Sequence, residues 1–365
     1  MAQSGQPMAG GRMDIAQNDV MLQALAAVAP GTPLREGLDH VISARTGALI
    51  VIGDERGVES ISNGGFVVGV PYTPQRLFEL AKMDGAITLD ADMKHILKAN
   101  VHLVPDPSIP TSETGMRHRT AERVSLQTDA LVISISQRRD VVSLYRRGQK
   151  VVLEDIEVVL AKANQALQTL ERYRTRLDEV TAHLTVLEFE NVSTFREVAL
   201  VIQRAEMVLR VAKEVNRYII ELGEDGRLVR MQSDELTAGV DDDYTMLVRD
   251  YAADPSPRTA ARVKQRIAAM KPDQLLDPLA VIHALGHAGG ADLVEQQVRP
   301  RGYRVLRHIP ALPGSVANRV VDKFQTLAAL LGASEQQLDD VEGVGSRRAA
   351  AILDGLRRMR EHPGG

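Results

Sequence analysis

The decapeptide at 115–124, GMRHRTAERV, crowds three arginines and a histidine into one short stretch of chain. Arg117, His118 and Arg119 are consecutive, so they cannot all lie on one face of a helix or a strand. Clustered donors of this kind suit an anion with several oxygens, most often a phosphate. Thr120 is expected to cap a helix that follows it and so to add helix-terminal N–H groups. An exposed basic turn without a ligand explains the same spacing equally well.

A second candidate for chemistry is the turn in KMDGAITLD, where Asp84 and Gly85 stand just before a predicted strand. An aspartate at a strand edge could hold a divalent metal or accept a proton, and the glycine lets a ligand approach the backbone closely. Asp-Gly is also among the commonest turn sequences, so taken alone the pair indicates only a turn.

The C-terminal stretch VEGVGSRRAAAI places Gly343 and Gly345 around one apolar residue, directly before a predicted helix. The glycines permit a tight turn, the helix start presents N–H groups, and Arg347 and Arg348 add positive charge. This arrangement suits a phosphate of a nucleic-acid backbone and resembles the hairpin of a helix-hairpin-helix module. An ordinary helical hairpin that packs against a neighbour would show the same pattern.

A first copy of that hairpin is predicted in IPALPGSVANRVVDKF, where Ala311 and Pro313 stand in place of the two glycines. Proline has no N–H group to donate, so this copy is expected to be structural. The pairing of two hairpins with a group of nearby arginines favours DNA binding over simple packing. Those arginines are Arg299, Arg301, Arg304 and Arg307.

Composition limits the classes of function that the chain can have. Its 365 residues suggest two or three domains, and a formal net charge of −4 means that any basic surface must be local. The absence of cysteine excludes disulfides, cysteine-ligated zinc, iron–sulfur clusters and thiol nucleophiles. No stretch approaches the ~20 apolar residues that span a bilayer, and the N-terminus lacks a signal-peptide core. We expect a cytoplasmic protein without a membrane partner, beginning with a disordered tail over residues 1–13.

Short aliphatic and β-branched runs in the first part of the chain predict an α/β domain over residues 14–152. The runs at 48–53, 65–70 and 85–89 are typical of buried strands, and the two runs within 129–148 predict a hairpin. A helix is predicted from Thr73. Together these elements indicate a mixed sheet flanked by helices.

The chain has no proline from Thr111 to Asp254, which permits long helices in its middle. From Glu154 onward, apolar residues recur at intervals of three and four, as on the buried face of packed helices. We therefore predict an all-α linker domain over residues 153–291, followed by a helical module over residues 292–365. The acidic triplet at 241–243 could bind a cation, but a solvated turn or a helix start is the simpler interpretation.

The motifs also carry a family resemblance. The DGA turn, then NVHLVPDPSIPTSETGMRHRTAER and then the strand hairpin resemble, in this order, the signatures of the diadenylate cyclase domain. The segment LAKANQALQTLERYRTRLDEV and the hairpin tail are similar to family members with a helical linker and a helix-hairpin-helix DNA-binding domain. The resemblance covers nearly the whole chain except the N-terminal tail.

The resemblance implies an enzyme that condenses two ATP molecules into cyclic di-AMP and releases two pyrophosphates. Each site holds one ATP, so two sites must face each other and each 3′-hydroxyl attacks the α-phosphate of the other nucleotide. Asp84 is implied as the ligand of Mg²⁺ (or Mn²⁺) and as a group that helps to deprotonate the 3′-hydroxyl. The implied catalytic residues are Asp84, Arg117, His118 and Arg119. The implied nucleotide contacts are Gly85, Ala86, Leu103 at the adenine, Thr114, Gly115, Met116, Arg117, His118, Arg119, Thr120 and Ser136. The implied DNA contacts are Gly343, Gly345, Arg347 and Arg348.

The family further implies a homo-octamer with cyclase domains face to face, a nucleoid-associated location, and a cyclase that branched DNA such as a Holliday junction down-regulates. Two alternatives stay open. The first is a DNA-binding scaffold whose first domain binds nucleotide without turnover. The second is an enzyme acting on another nucleotide such as GTP, because nothing in the sequence determines the base.

Overall fold

The computed structural model describes residues 20–137 and 141–361, which form two compact units. The sheet unit comprises the residues up to Asn164 together with Asn216–Arg230. The helical unit comprises Gln165–Val215 together with the residues from Met231 onward. The predicted domain boundaries at 152 and 291 stay predictions, and the predicted tail over residues 1–13 lies outside the described residues.

A mixed β-sheet forms the centre of the sheet unit. The strands are β1 (Ala48–Ile52), β2 (Ser62–Asn63), β3 (Phe66–Pro71), β4 (Ala86–Leu89), β5 (His95–Leu103), β6 (Leu131–Ser136), β7 (Val141–Arg146) and β8 (Gln149–Val152). Within the described residues they form one sheet in the order β2-β5-β4-β1-β6-β7-β8, and β3 also pairs with β5. β1 and β4 run parallel, whereas the other pairs among these strands are antiparallel. The predicted mixed sheet and the predicted β6–β7 hairpin are therefore confirmed.

The central strand β1 is buried along its whole length because apolar side chains cover both faces of the sheet. Successive residues of a strand point to opposite faces. Ile50 and Ile52 accordingly belong to one apolar cluster, and Leu49 and Val51 belong to another. A strand covered on both faces reads as a continuous apolar run rather than an alternating one, which is why the segment at 48–53 could be recognised.

Helices of the sheet unit begin at residues suited to capping. Thr73 precedes one of them, and its hydroxyl accepts a hydrogen bond of 3.2 Å from the Arg76 N–H, which confirms the predicted start. Thr32 and Asp54 cap two others in the same way. The helices are α1 (20–27), α2 (Pro33–Ser43), α3 (Glu55–Ser60), α4 (Pro74–Leu80) and α5 (Met116–Gln127).

Two details of this unit differ from the predictions. The run at 65–70 forms β3, but Phe66 is 64% and Val67 is 82% exposed, so this strand is not buried. The reason is that β3 pairs with β5 and lies off the main path of the sheet. β5 itself was not predicted, although apolar and polar residues alternate along it from Leu97 to Leu103.

The prediction that a helix begins after Thr120 is wrong. α5 begins at Met116, and Gly115 is its N-cap with extended dihedral angles (φ −83°, ψ 140°). Arg117, His118 and Arg119 therefore lie inside the first turn of the helix instead of in a loop before it.

Two long helices confirm the predicted apolar stripes, α6 (Ile156–Glu190) and α7 (Phe195–Leu222). The glycine-bounded segment Gly223–Gly226 is a short 3-10 helix. Among the described residues, no helix is long and apolar enough to cross a membrane. The remaining α-helices are α8 (Arg227–Thr237), α9 (Val240–Tyr251), α10 (Pro257–Ala268), α11 (Pro272–Leu276), α12 (Pro278–Ala284), α13 (Tyr303–Arg307), α14 (Gly314–Phe324), α15 (Leu327–Leu331), α16 (Glu335–Asp339) and α17 (Gly345–Glu361).

The acidic triplet at 241–243 lies in the first turn of α9, which confirms the helix start. Carboxylates are favourable at this end of a helix because they face its positive pole. Asp242 and Asp243 also pair with Arg307, and Asp243 pairs with His308. The triplet is thus explained by packing inside the helical unit.

Candidate functional site

A cavity of about 690 Å³ opens in the sheet unit between the start of α5, the Asp84–Gly85 turn and the strands β6, β7 and β8. The predicted site residues that line it are Asp84, Gly85, Thr114, Gly115, Met116, Arg117, His118 and Ser136. Its other lining residues, which were not predicted, are Glu113, Ile135, Gln137, Val141, Ser143, Lys150 and Val152. The structure therefore brings together two sequence motifs that lie about thirty residues apart.

The first turn of α5 concentrates positive charge at this cavity. The amide groups of a helix's first turn have no partner within the helix, and they form the positive end of its dipole. Basic side chains are unfavourable there, yet α5 places Arg117 and His118 in its first turn, which contains no acidic residue. An anion bound at the cavity would stabilise the side chains and the helix end together.

The remaining predicted residues lie outside the cavity lining. Each residue advances a helix by about 100°, so Arg119 points away from the side that Arg117 and His118 share, and it is exposed. Ala86 is fully buried and Leu103 is 7% exposed, and both pack in the apolar cluster that covers one face of the sheet. Nucleotide contacts by Ala86, Leu103, Arg119 and Thr120 stay predictions.

A chain of polar contacts leads from the cavity wall to His118. The Nδ1 atom of His118 lies 2.9 Å from the Tyr145 hydroxyl, which donates to Oε1 of Glu113 at 3.0 Å. Lys150 donates to the same oxygen at 2.6 Å, and its ammonium lies 5.7 Å from the centre of the Tyr145 ring. No signal in the spacing could have revealed this chain, since 32 residues separate Glu113 from Tyr145.

The surroundings of this chain determine which of its groups carry charge. Burial by itself would raise the pKa of Glu113, but hydrogen bonds from Lys150 and Tyr145 outweigh burial and lower it. The pKa of Tyr145 is raised, first by burial and then by its hydrogen bond to Glu113. At neutral pH Glu113 is therefore a carboxylate and Tyr145 keeps its hydroxyl proton.

The Asp84–Gly85 turn is held against β5. The side-chain amide of Asn100 donates to the Asp84 carbonyl oxygen at 2.9 Å. Gly85 has a φ of +94°, and a Cβ atom there would lie 2.8 Å from the carbonyl carbon of Asn100. Only glycine fits this position without a backbone shift, so the turn brings bare backbone and the Asp84 side chain to the cavity.

A divalent metal at this cavity would need ligands in addition to the side chains of the protein. Among the residues that the structure describes, no group of three or more His, Cys, Asp and Glu side chains could hold a metal ion. Mg²⁺ commonly binds through one or two carboxylates and completes its shell with substrate phosphates and water. The single exposed carboxylate of Asp84, opposite the basic start of α5, fits that kind of site.

The C-terminal hairpins share a second cavity, of about 500 Å³, within the helical unit. Gly343 and Gly345 have φ angles of +86° and +59°, so both need the freedom of glycine. Ala311 has the same left-handed φ of +59°, which shows that the first hairpin keeps the turn at that position despite the missing glycine. Arg347 and Arg348 line the cavity, and Arg348 donates to the Gly343 carbonyl at 2.6 Å.

Three of the four arginines that favoured DNA binding are committed to contacts inside the helical unit. Arg304 is 5% exposed and pairs with the buried carboxylate of Glu188. Arg301 donates to the backbone carbonyls of Arg249 and Asp250, and Arg307 pairs with the acidic start of α9. Arg304 cannot leave its pair for a DNA phosphate, because a buried charge without its partner is too costly to leave in place. Arg307 is exposed, so a contribution of these arginines to DNA binding stays a prediction.

Comparison with known proteins defines the class of this fold and site. The family model described as the nucleotide-binding domain of the DisA bacterial checkpoint controller, called DAC, matches residues 35–150. The model of the linker region of the same controller matches residues 153–294. The sheet with its cavity is therefore a DAC-type nucleotide-binding domain, followed by a DisA-type linker.

Whole-length relatives extend this assignment. The DNA integrity scanning protein DisA of Symbiobacterium thermophilum is 53% identical over 338 residues, covering 93% of this chain and 95% of that protein. Proteins of the same name from Carboxydothermus hydrogenoformans and Frankia alni are each 49% identical over 345 residues, covering 94% of this chain and 98% and 96% of theirs. The chain belongs to the DisA family of DNA integrity scanning proteins.

Proposed function

We propose that the DAC cavity binds ATP and that two such cavities, facing each other in an assembly of this chain, condense two ATP molecules into cyclic di-AMP. The observation that carries this proposal is the convergence of Asp84 and Gly85 with Arg117 and His118 on one cavity. A volume of about 690 Å³ lies within the usual range for one nucleotide-sized ligand. We infer that the second ATP comes from another copy, which requires at least two cyclase domains face to face. The homo-octamer stays a prediction from the family resemblance.

In each half of the reaction, a 3′-oxygen forms a bond to the α-phosphorus of the facing nucleotide and the bond from that phosphorus to pyrophosphate breaks. The 3′-hydroxyl loses its proton, for which Asp84 is the candidate acceptor. Arg117, His118 and the start of α5 are placed to bind the leaving pyrophosphate. Asp84 would hold Mg²⁺ or Mn²⁺ together with the phosphates, and the metal would neutralise their charge. Phosphoryl chemistry of this type depends mostly on positioning and charge stabilisation.

We also propose that the two C-terminal hairpins form a helix-hairpin-helix module that binds DNA backbone. Support comes from the left-handed turns at Gly343 and Gly345 and from Arg347 at the start of α17. Such a module contacts phosphates and reads no bases. Branched DNA such as a Holliday junction is the predicted ligand, and its binding is predicted to lower the rate of cyclic di-AMP synthesis.

Mass spectrometry of the products formed from ATP with Mg²⁺ or Mn²⁺ tests the cyclase. We expect cyclic di-AMP and pyrophosphate from the wild-type protein, none from Asp84→Asn, and wild-type amounts from Asp92→Asn. Asp92 is the matched control because it is an exposed aspartate of the same unit that does not line the cavity. ATP that stays bound and unconverted would favour a nucleotide-binding scaffold, and equal turnover of GTP would overturn the assignment of the base.

The proposed regulation by DNA can be tested with the same assay. Saturating four-way junction DNA is expected to lower the rate of cyclic di-AMP formation, whereas linear duplex of the same length and base composition serves as the control. An unchanged rate at full occupancy of the protein by the junction would contradict regulation by DNA and leave the cyclase assignment intact.

A further inference from the structure

We propose that Tyr145 and Glu113 are positioning residues that hold the His118 ring with its proton on Nδ1, so that Nε2 is the nitrogen that acts on the bound nucleotide. This inference rests on the proposed cyclase function. It begins from the three successive contacts His118–Tyr145, Tyr145–Glu113 and Glu113–Lys150.

The direction of each hydrogen bond follows from what each group can donate. Glu113 is ionised and only accepts, so the Tyr145 hydroxyl gives its single proton to Glu113. The phenolic oxygen can then only accept from the imidazole, and Nδ1 of His118 must be the donor. Any proton that the ring gains or loses during the reaction is therefore carried by Nε2.

The sheet holds this chain of contacts in place. Tyr145 lies on β7 between Val132 of β6 and Lys150 of β8, its direct partners in the strand register. The tyrosine is 1% exposed, so its ring has little freedom to turn. Lys150 comes from the neighbouring strand and keeps Glu113 charged. The position of a histidine on the first turn of α5 is thus set by two strands of the sheet.

The arrangement resembles in principle other sites where a buried group holds an imidazole in one tautomer for proton transfer. An imidazole in the wrong tautomer slows the chemical step but has little effect on substrate binding. His118 would lose its fixed orientation without Tyr145, whereas the phosphate-binding Arg117 and the backbone of α5 would stay in place. Tyr145 and Glu113 are accordingly expected to affect kcat more than KM.

The test measures kcat and the KM for ATP by pyrophosphate release and cyclic di-AMP formation in Tyr145→Phe. We expect kcat to fall about 10- to 100-fold with KM changed less than about 3-fold. Tyr72→Phe is the matched control, because it also removes one hydroxyl hydrogen bond, to Pro33, in the same unit but away from the cavity. Its kcat is expected to equal that of the wild-type protein.

Glu113→Gln distinguishes a positioning role of Tyr145 from a merely structural one, because its effect on kcat should depend on whether Tyr145 is present. In the wild-type background this change is expected to lower kcat about 10-fold, because the amide neither accepts as strongly nor carries the charge. In the Tyr145→Phe background the same change is expected to cost less than about 2-fold, because the link to His118 is already broken. Equal costs in the two backgrounds would overturn the proposal.

The remaining outcomes are also decisive. A Tyr145→Phe protein with wild-type kcat overturns the positioning role while the cyclase assignment stands. If Tyr145→Phe fails to fold, Glu113→Gln alone decides, and an unchanged kcat in that variant overturns the role. A wild-type protein that forms no cyclic product overturns the proposed function itself and this inference with it.

Discussion

The guanidinium of Arg117 occupies the space that a side chain on Gly47 would fill. A Cβ atom built on Gly47 would lie 1.9 Å from Nη1 of Arg117 and 3.0 Å from its Cζ. Gly47 directly precedes β1, so the backbone at the start of the central strand lies next to the guanidinium of Arg117. A residue seventy positions earlier in the chain thus sets where the charge of Arg117 lies.

Gly47→Ala is expected to displace Arg117 and to lower cyclase activity about 10-fold, because a misplaced cation no longer meets the developing phosphate charge. The fold should tolerate the change, since the first atom in the way is the end of a flexible side chain. The measurements are pyrophosphate release and the midpoint of thermal unfolding. Gly332→Ala, with contacts no closer than 3.7 Å, is the control. Full activity in Gly47→Ala would mean that the observed place of Arg117 is unnecessary.

Gly85→Ala should behave differently and reduce both activity and stability. Its φ of +94° disfavours any side chain, and the Cβ would meet backbone atoms of Asn100 that cannot move aside cheaply. We expect the free energy of unfolding to fall by about 1–3 kcal/mol, seen as a lower midpoint of thermal unfolding. A midpoint as high as that of Gly47→Ala would contradict the strain at this turn.

Arg304→Ala is expected to destabilise the helical unit by about 3–5 kcal/mol, because it leaves the buried carboxylate of Glu188 without its cationic partner. Arg299→Ala, at an exposed arginine five residues earlier, should change stability by less than about 0.5 kcal/mol. Chemical denaturation of the two variants provides the comparison. Similar values for both would show that the buried pair does not contribute in this way.

The ion pairs of Asp243 should make the free energy of unfolding depend on pH. Burial would raise its pKa, but the neighbouring His308 and Arg307 lower it below the ordinary value of 3.8. A carboxyl whose folded pKa is lowered stabilises the fold above its unfolded pKa and loses that contribution as pH falls through the folded value. Asp243→Asn should therefore lower the free energy of unfolding by less than about 1 kcal/mol at pH 7, because the side chain is 36% exposed and screened by solvent. Below pH ~4 the loss should be smaller.

The measurement for Asp243 is the difference in thermal midpoint between the variant and the wild-type protein at pH 7 and at about pH 2.5, below the ordinary pKa of the carboxyl. Asp339→Asn, at an exposed aspartate of α16, controls for the general effect of removing a carboxylate. A difference that grows as the pH falls would have the wrong sign and would exclude the ion pairs as its cause.

Arg347→Ala is expected to weaken binding to DNA of any sequence and to reduce the slope of log K against log salt by about 1, because one phosphate contact is lost. Arg347 is exposed at the second hairpin, whereas Arg358 on the same helix pairs with Asp354. Arg358→Ala is therefore the control. Fluorescence anisotropy at several salt concentrations measures both, and an equal change in the two slopes would argue against the hairpin as the DNA surface.

The local elements and the residue types at the cavity can be read from the amino-acid sequence. Apolar runs and stripes predicted β1, β4, the β6–β7 hairpin and the helices α6 and α7, because burial repeats along each element with the period of its own backbone. The motifs at 84–86 and 115–124 were recognisable because their residues are adjacent in the chain. Such local patterns are visible without any knowledge of the fold.

Which of these residues lie together depends on how the chain folds. It placed Arg117 and His118 at the cavity but Arg119 outside, because α5 begins at Met116 and its turn separates neighbouring side chains. It buried Arg304 against Glu188, 116 residues away. It joined Glu113, Tyr145 and Lys150 through the register of β7 and β8. Contacts of this kind depend on how distant elements pack, and no spacing within one element records them.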